Sequence, residues 1–257
     1  MWFKRKKKDK DTVHLTMPEA WGEMTEEQLL TVFRLIAQNL SAPEIKTICL
    51  FKWNRIKILG RTNKEEFWAR KGKQMFIMNA RIVQSLTTAM DFIDEMPEFP
   101  VRVRKICGHK AAPVLFDEVP FERFLYCDNL FQGYLHTKEM DILKEMVQVL
   151  YDLEDISKVE DIEAYAVMAF YWFAALKGIL AKQFYHFYVP IESVDGDDGL
   201  QAKSLHEKLT AAVNSQIRAL TGGDVTKEPY VMKMDTIRAL TELDAKARET
   251  DEMNKKK

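Results

Sequence analysis

Two helix-start signals stand sixteen residues apart, Thr25-Glu26-Glu27-Gln28 and Ser41-Ala42-Pro43-Glu44. Each places a hydroxyl residue three positions before a Gln or Glu. The two side chains can then satisfy one another's free backbone N–H groups at the first turn. Each signal is bracketed by an apolar pair, Met24 with Leu29 and Leu40 with Ile45, set as a hydrophobic staple. Leu29, Phe33, Ile36 and Leu40 then fall on one helical face, and Ile45, Ile48, Cys49 and Trp53 on the next. Two starts this close leave room for little besides a helical hairpin.

The pattern changes after Trp53. The stretch NRIKILG reads as a short strand ended by Gly60, and FWARKGKQMFIM as a β-hairpin turning at Lys71-Gly72. Asn79 is placed to cap a helix carrying Ile82, Val83, Leu86, Met90 and Ile93, stopped by Pro97. VRVRKI alternates and reads as a further strand, and Pro113 to Pro120 as a connector. From Pro120 onward the chain is helical in pattern. Helices are expected over about 120–133, over 138–152 with Thr137 as cap, and over 160–188. After PIESVDGDDG, one helix places Leu205, Leu209, Val213, Ile217 and Leu220 on a stripe. The last uses Val231, Met234, Ile237, Leu240 and Leu243. The expected fold is mainly α (α+β), a helical bundle-like body with a small antiparallel sheet or hairpin in the N-terminal half. The expected segments are a basic tail 1–17, a hairpin-plus-sheet region 18–113, a helical core 114–190, a helical pair 191–250 and a charged tail 251–257.

Composition decides what such a chain can bury and attract. At 257 residues and 47% hydrophobic, it holds enough apolar material for one domain or two small ones. Net charge is −1, but six basic residues cluster in Lys4–Lys10 and three lysines end the chain. Without those tails, 29 basic residues face 38 acidic ones. Lys46–Arg81 holds ten Lys/Arg against two Glu, whereas Val114–Tyr165 holds four basic residues against thirteen acids. Such asymmetry steers charged partners. Three widely spaced cysteines, Cys49, Cys107 and Cys127, give no disulfide framework and point to a reducing compartment. The opening MWFKRKKK has charge without an apolar stretch after it, unlike a secretory signal. The longest uncharged aromatic run, Ala164–Leu176, is thirteen residues, against about 20 needed to span a bilayer. A cytoplasmic protein without membrane attachment is expected.

The chemistry-bearing motifs are sparse. Gly222-Gly223-Asp224 invites comparison with a phosphate loop, but it follows a helix and lacks the Gly-Lys-Ser/Thr that cradles phosphate. A glycine-capped bend with Asp224 as the next N-cap fits better, with a partner contact as the functional alternative. Asp195–Gly199 has the acids of a calcium loop, but Gly199 and His206 stand at positions 5 and 12, where an EF-hand needs ligands. The five histidines are scattered and none is at zinc-ligand spacing. No catalytic constellation, metal or cofactor is expected. The basic stretch interleaves Lys52, Arg55, Lys57, Arg70, Lys71 and Lys73 with Phe51, Trp53, Phe67, Trp68 and Phe76. Cations with aromatics between them can hold phosphates and stack bases. The same pattern also describes a small sheet with an aromatic core face and a solvated basic face. Trp172 and Phe173, in the aromatic run Tyr171–Tyr188, are either core or the wall of a groove for a partner helix.

Four long stretches carry a resemblance: MPEAWGEMTEEQLLTVFRLIAQNLSAPEIKTICLFKWNRIKILGR, VPFERFLYCDNLFQGYLHTKEMDILKEMVQVLY, WFAALKGILAKQF and QIRALTGGDVTKEPYVMKMDTIRALTELDAKARE. Together they resemble a family of proteins carried by phages and prophages of gut anaerobes, in tail-module gene sets. The closing segment is similar to the ends of tail assembly chaperone-like proteins. That resemblance covers Met17 to Glu249 and rests on overall wording, not on a catalytic signature. It implies a non-enzymatic assembly protein in the host cell cytoplasm, binding another phage structural protein such as a tape-measure or tail-tube protein. It carries over no functional residues. The alternative expectation is a nucleic-acid-binding accessory protein using the basic N-terminal region.

Overall fold

The computed structural model describes residues 13–63, 65–188 and 205–255; side-chain surroundings are not described for 205 and 206. The basic run Lys4–Lys10 and the Asp195–Gly199 turn lie outside the described residues. Contacts group the chain into two compact units, Met1–Met96 and Pro97–Lys257. The architecture is mainly helical with a small antiparallel sheet in the N-terminal half.

The first unit begins with the expected hairpin. Helix α1 spans Glu26–Ala37 and α2 spans Ala42–Trp53. The Thr25 hydroxyl accepts from Gln28 N–H at 3.2 Å, and Gln28 Oε1 accepts from Thr25 N–H at 2.9 Å. At α2 the Glu44 carboxylate takes both the N–H (2.9 Å) and the hydroxyl (2.6 Å) of Ser41. Those two bonds hold its carboxyl below the usual range. Between the helices Asn39 takes φ 58, and Leu40 N–H reaches back to the Leu35 carbonyl. This is the Schellman closure that a glycine more often makes.

Buried Leu29, Val32, Phe33 and Leu35 of α1 and Ile45, Cys49 and Leu50 of α2 form the hairpin core. Trp21 stacks on Phe33 at 5.6 Å between ring centres and donates its indole N–H to the Glu95 carbonyl. Lys46, its side chain only 8% exposed, is gripped by Asp91 and Asp94 at 2.6 Å each. Burial alone would lower its pKa, but the two carboxylates outweigh it and the net shift is upward.

Strands β1 (Ile56–Arg61), β2 (Glu66–Lys71) and β3 (Gln74–Asn79) form an antiparallel sheet in that order. The β2–β3 turn is Gly72-Lys73, one residue later than the sequence suggested, because Lys71 still pairs with Gln74. Gly72 takes φ 59, which suits a glycine at the first loop position. The inner sheet face packs Ile56, Ala69 and Met78 against Leu15, Phe51, Phe67, Phe76, Val83 and Leu86. Helix α3 (Ala80–Thr87) starts at Asn79, whose side chain accepts from Ile82 N–H at 2.9 Å. The chain then tightens into a 3-10 segment, Thr88–Asp94, kinked at Met90, instead of one continuous helix.

In the second unit VRVRKI is not the expected strand. Among the described residues Val101 and Val103 are buried without ladder partners, and only the two-residue strands β4 (Lys105–Ile106) and β5 (His109–Lys110) pair. The body is helical: α4 (Phe121–Thr137), α5 (Met140–Tyr151), α6 (Ile162–Gln183), α7 (Tyr185–Tyr188), α8 (Leu205–Thr221), α9 (Glu228–Met232) and α10 (Thr236–Lys255). Thr137 closes α4 and does not cap α5. Lys138 turns the chain in the left-handed region, and Glu139 occupies the N-cap position. The expected helix over 160–188 breaks at Phe184, and the last helix starts only at Thr236, with Val231 left on α9.

Helix α5 packs on both α4 and α6, while rings of α4 and α6 meet at Phe131–Phe170 and Phe124–Phe173. Helix α6 is long and apolar enough by length and composition to cross a membrane, and 56% of its most apolar stretch is buried within the fold. Its one mid-helix charge, Lys177, pairs with Asp128 at 2.7 Å. Val119, before α4, is tied to the start of α10. Thr236 donates both its N–H (2.9 Å) and its hydroxyl (2.6 Å) to the Val119 carbonyl.

Candidate functional site

The joint between α2 and β1 is fixed by one buried side chain. Asn54 Oδ1 accepts from Thr16 N–H at 2.9 Å and from Lys71 Nζ at 3.2 Å. Its amide nitrogen donates to the Thr16 and Leu50 carbonyls, both at 3.1 Å. Arg55 follows with φ 52, a left-handed residue that swings the chain from helix into strand. Lys71 also donates to the His14 carbonyl. It is thus a structural tie at this joint, not a free contact for nucleic acid.

Helix and strand diverge from that joint and leave a groove of about 770 Å³. It is lined by Thr47, Ile48, Phe51 and Lys52 of α2, Arg55 of the joint, and Ile56, Lys57 and Ile58 of β1. Its apolar walls include Ile48, 39% exposed, and Ile58, 59% exposed. Every charged residue of the lining is a cation: Lys52, Arg55 and Lys57. Lys52 donates to the neutral Thr31 hydroxyl at 3.0 Å. Arg55 and Lys57 have no carboxylate partner among the described residues. Sequence periodicity assigned Ile48 to the core stripe with Ile45 and Cys49, and the structure overturns this. Leu50 is the buried neighbour, and Ile48 faces the groove. A signal was present in Ile48-Cys49-Leu50-Phe51, four apolar residues in a row that no single helix face can bury together.

The outer face of the sheet carries a second cluster. Lys57 stands opposite Arg70, and Arg70 opposite Met75, while the next rung joins Trp68 to Ile77. Facing like charges oppose pairing. Of the five aromatics interleaved with the basic residues, only Trp68 is exposed, at 38%. Phe51, Phe67 and Phe76 pack on the inner cluster. Trp53 is half-buried, with its indole N–H enclosed and unbonded among the described residues. Lys73 sits exposed in the hairpin turn. The interleaved basic and aromatic residues therefore do not form one surface.

No protein-family model, curated protein or solved structure matches the chain. The assignment of its sites rests on the geometry.

The other candidate residues fall into place locally. Trp172 and Phe173 are fully buried on α6, so they form core and not a groove wall. The Trp172 indole donates to the Val114 carbonyl at 3.0 Å, and the Arg102 guanidinium lies 5.1 Å from its ring centre. Gly222 (φ 67) and Gly223 (φ 87) end α8, with Gly223 N–H returning to the Arg218 carbonyl at 3.2 Å. Asp224 then caps the next turn, accepting from Thr226 N–H (3.0 Å) and hydroxyl (2.6 Å). The bend is thus a helix stop followed by a helix start, with Val225 and Tyr230 exposed beyond it. Burial pushes the Cys49 and Cys127 thiols up to about 12, so both stay protonated near neutral pH. Among the described residues, no three His, Cys, Asp or Glu side chains are grouped to hold a metal ion.

Proposed function

We propose that the protein is a non-enzymatic binder of another protein, of the assembly-chaperone kind that its resemblance to phage tail-module proteins implies. The observation that carries this reading is the α2–β1 groove, an exposed apolar trough with an all-cationic rim. An assembly chaperone must hold an apolar segment of its client in water and later release it. Burying Ile48, Phe51 and Ile58 supplies the attraction, at about 25 cal/mol per Å² of apolar surface removed from water. The cations set orientation and speed encounter more than they add affinity. The client in this reading is a co-encoded structural protein, and the setting is the host cytoplasm. The test is a photo-crosslinking residue at position 48, with position 249 as a control, in cells expressing the neighbouring genes and after nuclease treatment. One co-encoded structural protein should be captured from position 48. Equal yield from both positions defeats the reading.

A second reading rests on the Lys57–Arg70 pair beside Trp68, which suits a single-stranded nucleic acid with one stacked base. A fluorescent oligothymidine should then bind with steep salt dependence, and Lys57→Gln should flatten that slope by roughly 0.7. Binding unchanged by Trp68→Ala would remove it.

A further inference from the structure

We infer that the α2–β1 groove takes an amphipathic helix whose apolar stripe is bordered by carboxylates. This inference rests on the reading of the groove as the binding site and adds the chemistry and shape of the client segment. The first reason is charge. The rim carries Lys52 and Arg55, with Lys57 at its β1 border, and the lining includes no acid, so an incoming carboxylate meets cations without a carboxylate partner among the described residues. A basic segment would be repelled by the same cations.

The second reason is the shape of the helical wall. Thr47, Ile48, Phe51 and Lys52 of α2 are related by i, i+3/i+4 spacing, and Arg55 follows at the joint. This gives a ridge of about one and a half turns, near 8 Å long at roughly 1.5 Å per residue. A second helix packs its own ridge against such a surface. The third reason is what the opposite wall discourages. Among the described residues β1 pairs only with β2 and is an edge strand, so strand addition is the obvious rival. Its run is interrupted by an irregularity in register between Ile58 and Gly60 and carries Lys57 and Arg61. Bulges and edge lysines are devices that keep further strands from pairing.

Three synthetic peptides of roughly five helical turns test this by fluorescence anisotropy on the full chain. One carries leucines at helical spacing flanked by glutamates. The second replaces each glutamate with lysine, and the third has the first peptide's residues in strict alternation. The acidic helical peptide should bind at least about tenfold more tightly than either of the others, a ratio equal to about 1.4 kcal/mol. In the Lys52→Glu/Arg55→Glu variant the order of the first two should invert, an outcome that loss of folding cannot mimic. Ile48→Asp should abolish binding of both. The inference is overturned by equal binding of the acidic and lysine peptides, or by equal binding of the alternating one. Sedimentation showing Ile48-dependent filling of the groove by a second copy overturns it too. If position 48 still cross-links to a co-encoded protein while the peptides show no preference, this inference alone falls. If no cross-link forms, the groove reading falls with it.

Discussion

Helices α2 and α6 carry the same sequence signal and meet different fates. Both are apolar on more than one face. Helix α6 is met by α5 and by rings from α4, so Trp172, Phe173 and Leu176 are fully buried. Helix α2 is covered by α1, α3 and the sheet on one side only, and Ile48 stays open to the groove. A helix with more than one apolar face needs neighbours on each of them. Within its unit α6 has them, and α2 is short of one. This difference is why α6 reads as scaffold and α2 as a surface with work left to do.

The contrast can be broken first at α6. Trp172→Ala removes a fully buried ring and its bond to the Val114 carbonyl, and should cost about 3–5 kcal/mol in urea unfolding. A cost under about 1 kcal/mol would mean that α6 is not the packed centre of its unit. Next is the joint that shapes the groove. Asn54→Ala removes the partner of both the N–H and the carbonyl of Thr16 and of Lys71 at the hub, and should cost about 2–3 kcal/mol by the same measurement.

Third is the Lys46 clasp. Lys46→Met should cost about 1–2 kcal/mol, less than a fully buried pair, because Asp91 and Asp94 are half exposed. The folded-state pKa of Lys46 is raised above its unfolded value near 10.5. Its contribution is therefore complete below that pH and is lost as pH rises through the folded value. The stability gap between wild type and Lys46→Met should be flat from pH 6 to 9, roughly, and close in more alkaline solution. Smallest is Ile48→Ser, whose stability cost should stay within about 0.5 kcal/mol because the side chain is already partly in water. Client capture should nevertheless drop. Ile48→Ser costing as much as Asn54→Ala would place Ile48 in the core after all.

Local chemistry was legible in the sequence, and coverage was not. The two capping boxes, the Asn79 cap and the Gly222-Gly223 stop are each decided by a few adjacent residues, and all appear as read. The hairpin was read one residue early because Gly72 takes the first loop position, and either side of a glycine looks like a turn. VRVRKI alternates as a strand does, yet nothing in a local pattern says whether a partner strand is present. The break at Phe184 interrupts an aromatic run whose periodicity gave no stop signal. The cations of the groove were visible as residues. Their separation from Lys71, which ties the joint, and the pairing of Lys57 with Arg70 on the outer sheet face depend on strand register that composition does not encode.

The bond from Thr236 to Val119 has a consequence in time. The two residues lie 117 positions apart, and the Val119 carbonyl receives both donors of Thr236. Phe121 N–H likewise bonds to the Met234 carbonyl. Closing a loop of that length comes late, because its entropy is lost before the contact repays it. During synthesis, α4 therefore emerges with its leading backbone groups unmatched until α10 leaves the ribosome. The second unit reaches its final form only once α10 has been made, whereas α1 and α2 can close on each other within about thirty residues.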